Sequence, residues 1–200
     1  FWSLLAFDVI TGPVLGFVAY KEGKKSVTMD LTVIILLQLS ALGYGIYSIG
    51  QGRPVWLAYT VDRFELVRKN EIIDENIEKA LAQYQHPSWF KPQYVGVEFA
   101  KDAKTRNDDM FAEALNGISL AQKPERYVAL SKVVPQIKTH AQSLDILKNF
   151  NDGKKLQSIL AKYPQANAFV PLKAGHVDMT VLLDKNTGEV IKIVDLRPWG

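Results

Sequence analysis

The residues best suited to chemistry in this chain are its histidines, paired acids and serines, and their spacing argues against most chemistry. His86, His140 and His176 stand apart, with no potential ligand pattern at i+2, i+3 or i+4. A metal needs ligands that converge on one point, so this spacing assigns no metal residue. Ser88 and Ser131 lie in no nucleophile-elbow context, and no glycine-rich loop follows a strand. Asp74–Glu75 and Asp108–Asp109 have the right type for acid–base work, but solvated helix ends account for them more simply. The run Asp184–Gly188 (DKNTG) carries half of a calcium-loop pattern and fits a hairpin turn better. With no cysteine, disulfides, thiolate ligands and thiol chemistry fall together. No catalytic, cofactor or metal residue is assigned, and the chain reads as a binding protein rather than an enzyme.

Asp8 stands apart from these. It lies in the apolar stretch Phe1–Tyr20, ahead of a second run, 31–50, of twenty uncharged and mostly apolar residues. Twenty helical residues span about 30 Å, the hydrocarbon thickness of a bilayer. The two runs are therefore expected to form a transmembrane hairpin, with spans about 1–20 and 29–51 and a loop over 21–28. That loop holds Lys21, Lys24 and Lys25, and cations in short loops mark the cytoplasmic side. Both chain ends then face outward, and residues 53–200 form a periplasmic domain in a bacterium with two membranes. The same topology, with a chain that starts at Phe1 already in the membrane, implies a further span preceding this sequence.

A carboxylate inside a span costs about 2.5–3.5 kcal/mol on insertion scales, so such acids usually face protein. Asp8 reads either as a buried hydrogen-bond acceptor, with Gln38, Ser40 or Tyr44 at matching depth, or as a hydrated residue just before the span. Gly12 and Gly16, with Pro13 between them, form a small-xxx-small pair that lets helix backbones approach closely. This face suits packing within the hairpin or docking of another helix. Beyond the second span, Arg53 and Trp56 have the types that suit the headgroup layer, and Pro54 is placed to end the helix.

Across the rest of the chain, the net charge of +3 is small and the signs are interspersed, which excludes a nucleic-acid surface. Residues 53–200 suffice for one core. The pattern predicts a strand over Val55–Val67, a helix over Asn70–Tyr84, and a breaker-rich turn with two exposed aromatics over His86–Pro92. It continues with a strand over Tyr94–Phe99 and a helix over Asp108–Gly117 striped by Met110, Phe111, Ala114 and Leu115. Helices over Gln136–Phe150 and Asp152–Tyr163 precede a closing hairpin, Val177–Leu183 and Val190–Leu196. The expected class is α+β, with a small, mostly antiparallel sheet.

Several motifs in order resemble the type IV pilin accessory proteins of the TfpX/TfpZ type. They are Asp8–Leu15 (DVITGPVL), Tyr20–Lys25, Met29–Leu31, Gln51–Trp56 (QGRPVW), Val61–Glu65 and the Pro87–Trp89 turn. The resemblance runs through the chain and is sharpest over residues 8–68. It implies a multi-pass protein of the bacterial inner membrane that binds a cognate type IV pilin and supports its stability or assembly, acting as a chaperone. It brings no catalytic residues and no cofactor. Asp8, Gly12, Pro13, Gly16, Arg53 and Trp56 are then candidate contacts with the major pilin and the lipid bilayer. Two other readings stay open: a membrane-anchored periplasmic ligand-binding or sensor domain, and a hydrolase whose site the pattern hides.

Overall fold

The computed structural model describes residues 27–200. The first expected span, with Asp8, Gly12, Pro13 and Gly16, and the Lys21–Lys25 loop lie outside the described residues. The described part contains one long apolar helix, α1 (Val27–Gln51). From Leu31 to Gln51 it is long and apolar enough to cross a membrane, and none of that window is buried. Leu36, Leu37, Leu39 and Leu42 point in different directions around the axis, and all are exposed. A helix that is apolar all round belongs in a core or in lipid. The Ser40 hydroxyl donates to the Leu36 carbonyl at 2.8 Å, so its polar group is satisfied within the helix.

The chain divides between Gly52 and Arg53. Pro54 lacks an amide proton and disfavours helical geometry at the residue before it. The next element is strand β1 (Pro54–Thr60), followed by β2 (Arg63–Arg68). The single strand expected over 55–67 is thus a tight antiparallel hairpin turning at Val61 and Asp62. Downstream come the one-turn helix α2 (Ala82–Gln85), β3 (Gln93–Val97), α3 (Ala103–Asn116), β4 (Tyr127–Val128), α4 (Leu130–His140) and β5 (Gln142–Ser143). The unit closes with α5 (Gly153–Leu160), β6 (Ala168–Lys173), β7 (Met179–Asp184) and β8 (Glu189–Val194).

These strands form one eight-stranded sheet in the order β4-β3-β1-β2-β6-β7-β8, with β5 also paired to β6. The sheet is mixed, and larger than the small, mostly antiparallel one expected. β1 is parallel to β3, and β2 is parallel to β6. Local strand patterning cannot reveal such pairs, because their partners arrive after long crossovers. The β2–β6 crossover alone carries α2, α3, α4 and α5.

Two helix expectations also fail. Residues 70–84 form 3₁₀ turns at Lys69–Glu71 and Ile77–Lys79 before the single turn of α2. The Ile73 amide donates to the distant Gln122 carbonyl at 2.9 Å instead of to its own segment, so a tertiary bond replaces a helical one. Over 136–150 the helix ends at His140, and the chain continues through β5 into a 3₁₀ stretch, Leu144–Asn149. The closing hairpin forms as the pattern predicts. In its turn only Gly188 takes a positive φ, of 77°. The Asp184 carboxylate accepts from the Asn186 amide at 3.0 Å and from Asn167 Nδ2 at 2.8 Å. The Asn186 amide, with Asn167 and Thr187, holds its carboxyl below the ordinary value.

β1 is buried on both faces from Val55 onward. Leu57 and Tyr59 join Phe64, Val170, Val181, Val133 and Ile137 under α4, while Trp56 and Ala58 join Val95, Tyr84 and Tyr127 on the other face. A third cluster, with Leu147, Leu156, Phe169 and Leu196, lies beneath α5. Gly96 of β3 permits the close approach of α4, since a Cβ there would stand 2.6 and 2.8 Å from the two Val133 methyl carbons. Val133 is β-branched and fully buried, so it has little room to yield. Gly96→Ala is therefore expected to destabilise the outer unit by about 1–3 kcal/mol, the usual cost of overpacking. Urea unfolding checks this, and adding Val133→Ala should recover part of the loss.

Candidate functional site

The dispersed polar residues do not assemble into a reactive centre in this fold. Among the described residues no cluster of three or more His, Asp or Glu is placed to hold a metal ion. His86 and His176 are exposed on separate loops. His140 Nδ1 lies 3.0 Å from the Gln136 carbonyl and 3.4 Å from the Tyr59 hydroxyl. Burial, then the charge of Asp62, pushes the Tyr59 hydroxyl up to about 12, which keeps it neutral at physiological pH. This contact ties α4 to β1 and is structural. A polar cavity of about 130 Å³, lined in part by Thr60, Arg63, Glu65, Glu113 and Lys173, falls below the 300–1,000 Å³ usual for small-molecule sites.

The unit after Gly52 presents apolar surface at several places, one of them along α3. Asp102 caps this helix by accepting the Thr105 amide at 2.8 Å, and Gly117 closes it with a φ of 65°. Hydrogen bonding from Thr105 holds the Asp102 carboxyl below its ordinary value. The inward face is charged. Asp109, 4% exposed, is 2.6 Å from Lys123 Nζ and 3.0 Å from Arg126 Nε. Its neighbours on the outward face, Asn107, Met110, Phe111 and Ala114, line a shallow depression. Phe111 is 65% exposed and Leu115 79%. Positions 107, 110, 111, 114 and 115 follow the i, i+3, i+4, i+7, i+8 spacing of one helix face. The stripe read from the sequence exists, but it faces outward.

At the opposite end of β1, Arg53 and Trp56 part company. The Arg53 guanidinium lies 4.1 Å from the ring centroid of Trp89. Trp56, expected at the headgroup layer, is instead fully buried. Its ring meets Tyr84 and Tyr127 edge to face at centroid distances of 5.9 and 5.4 Å, because its strand is covered on both sides. The Tyr127 hydroxyl donates to the Ala121 carbonyl, and burial raises it well above the ordinary phenol value. The exposed aromatics beside Arg53 are Trp89 and Phe90, 73% and 95% exposed. Sequence reasoning noted them as turn residues but did not join them to Arg53. Their link is the parallel β1–β3 pairing, which sets Gln93 opposite Trp56 and brings the preceding loop to the start of β1.

Asp8, Gly12, Pro13 and Gly16 lie outside the described residues, so α1 is the one candidate span among the described residues. The orientation of α3 was missed for a different reason. Its one signal is the acid Asp109 on the face away from the apolar stripe, with two cations following at Lys123 and Arg126.

The chain is similar over most of its length to proteins of Dichelobacter nodosus. It is 29% identical over 195 residues to "Fimbrial assembly protein, serogroup I", covering 93% of this chain and 76% of that protein. It is 28% identical, with the same coverage, to "Fimbrial assembly protein, serogroup E1". "Fimbrial assembly protein, serogroups C1 and C2" is 33% identical over 82 residues, 40% of this chain and 63% of that protein. No family model and no solved structure matches the chain. These relatives bear out the resemblance to a pilus accessory family drawn from the sequence motifs.

The ion pairs of Asp109 lead to a direct test of α3. Removing one partner of a buried ion pair costs about 3–5 kcal/mol, because the remaining charge is left uncompensated. Asp109→Ala should release α3, raising amide hydrogen exchange across 103–116 while β6, β7 and β8 stay protected. Protection of α3 equal to that of the unaltered chain would show that the helix is held by other contacts.

Proposed function

We propose that this chain is an inner-membrane accessory protein of type IV pilus assembly that binds a cognate pilin and acts by binding rather than by catalysis. The observation that carries the reading is the similarity to fimbrial assembly proteins across 93% of the chain. The relatives support a role in pilus assembly; recognition of the pilin itself, the chaperone activity and the placement in the membrane are this article's reading. In it, α1 and the preceding apolar stretch cross the bacterial inner membrane as a hairpin. Lys21, Lys24 and Lys25 keep the connecting loop cytoplasmic, and residues 53–200 stand in the periplasm.

A subunit that waits in a membrane before assembly needs a partner with apolar surface in lipid and apolar surface outside it. α1 supplies the first, exposed around its circumference, and the outward face of α3 supplies the second. Asp8, Gly12, Pro13 and Gly16 are the contacts proposed within the bilayer, where small residues admit a neighbouring helix. Phe111 and Leu115 are those proposed on the outer unit. A membrane-anchored sensor of small molecules is the weaker reading, since the cavity at Thr60 and Arg63 is polar and small and the larger depression on α3, about 410 Å³, is shallow and lined by one helix face.

Two experiments test the proposal. A periplasm-active reporter enzyme placed after Gly200 is expected to be active and one inserted at Gly23 inactive; the reverse would overturn the orientation. Affinity purification from native membranes is expected to recover pilin with the unaltered chain. Phe111→Glu and Leu115→Glu should lower that recovery about tenfold, equivalent to roughly 1.4 kcal/mol, with α3 still protected from exchange. Asp8→Leu and Gly16→Leu should lower it without loss of the protein from the membrane. Recovery of pilin undiminished in all four variants would remove both proposed surfaces.

A further inference from the structure

One end of the sheet gathers cationic and exposed aromatic residues. The parallel β1–β3 register and the antiparallel β1–β2 register bring three segments together at the start of β1. They are Arg53–Pro54, the end of β2 through Glu71, and the loop 86–92. Pro54 pairs with Arg68, and the Lys69 amide donates to the Arg53 carbonyl at 3.0 Å. The charged residues of these segments are Arg53, Arg68, Lys69 and Lys91, with Glu71 as the carboxylate among them. Glu71 is half-exposed; its Oε2 accepts the Arg68 amide at 2.9 Å and its Oε1 lies 4.0 Å from the Arg68 guanidinium, so it offsets that one cation. The loop's tip is apolar: Phe90 is almost wholly exposed, and Trp89 is exposed with its ring under the Arg53 guanidinium.

A cationic rim around an exposed Trp–Phe pair is the chemistry of a membrane interface. Aromatic rings with a polar edge settle at headgroup depth, and basic residues are drawn to an anionic leaflet. The chain itself supplies the membrane, since Arg53 follows the end of α1 by two residues.

We propose that the 86–92 loop, with Arg53, is a second membrane-contact site whose occupant is the anionic headgroup layer of the bilayer crossed by α1. Phe90 and Trp89 enter the layer, and Arg53, Lys69 and Lys91 meet lipid phosphates. This rests on the reading of α1 as a membrane span, and the experiment separates the two. The chain has no cysteine, so single-cysteine variants can each carry one spin label. Phe90→Cys, Leu42→Cys and Phe111→Cys of the full chain are reconstituted in nanodiscs of phosphatidylethanolamine and phosphatidylglycerol. The label's accessibility to oxygen against a water-soluble nickel complex reads its depth. Position 42 is expected at hydrocarbon depth, position 90 at headgroup depth and position 111 in water. Adding Trp89→Ala to Phe90→Cys should return that label to the aqueous values of position 111. Aqueous values at 90 with hydrocarbon depth at 42 would overturn the contact site and leave the span standing. Aqueous values at 42 would overturn the span, and the contact site with it.

Discussion

β1 is the central constraint on the outer unit. It is covered on both faces, and only Gly52 and Arg53 separate its first residue from the last residue of α1. A strand buried on both sides needs cover from two directions. On one side α4 supplies it through Val133 and Ile137, at a distance that Gly96 alone permits. On the other, Trp56 draws in Tyr84 and Tyr127, and with them the irregular turns on either side of the sheet order. Pro54 therefore serves two elements at once, ending helical geometry before it and opening the strand whose burial organises the rest.

The same unit contains a helix held by the opposite logic. Most surface helices turn apolar residues to the core and charges to water. In α3 the buried position is Asp109, and Phe111 and Leu115 lie outward. Burying an unpaired carboxylate would cost several kcal/mol, which the two cations offset. Burying a side chain such as Phe or Leu contributes about 1.5–3 kcal/mol, and here that contribution is left for whatever covers the helix. Ion pairs fix direction as well as position, so α3 presents its apolar stripe in a defined orientation even without a cover.

How much of this was legible in the sequence depended on how local the cause was. α1 and the Asp184–Gly188 turn are set by neighbouring residues, and the pattern located them; α3 was located too, but it starts at Ala103 behind the Asp102 cap rather than at Asp108. The hairpin at Val61–Asp62 was hidden because both of its strands share one apolar run. The 70–84 segment has helical spacing at Ile73, Ile77 and Leu81, yet a bond from Ile73 to Gln122 overrides it. The parallel pairings, the burial of Trp56 and the outward turn of α3 all depend on partners many residues away. Of the candidate contacts, Arg53 is half-buried and its aromatic neighbour is Trp89 rather than Trp56, which is buried because β1 is covered on both faces.

The sheet's two edges differ in length but share a consequence. At one end β4 has two residues; at the other, β8 carries the exposed Lys192 in its middle, next to an irregular register in β7. Free edge strands are templates onto which another polypeptide can add a strand, and shortness, lysine and bulges all discourage this. A protein that handles other subunits while exposing long unpaired edges would risk being extended by its own clients. Here the backbone offers little for β-augmentation, so under the proposed function recognition of a partner would rest on side chains.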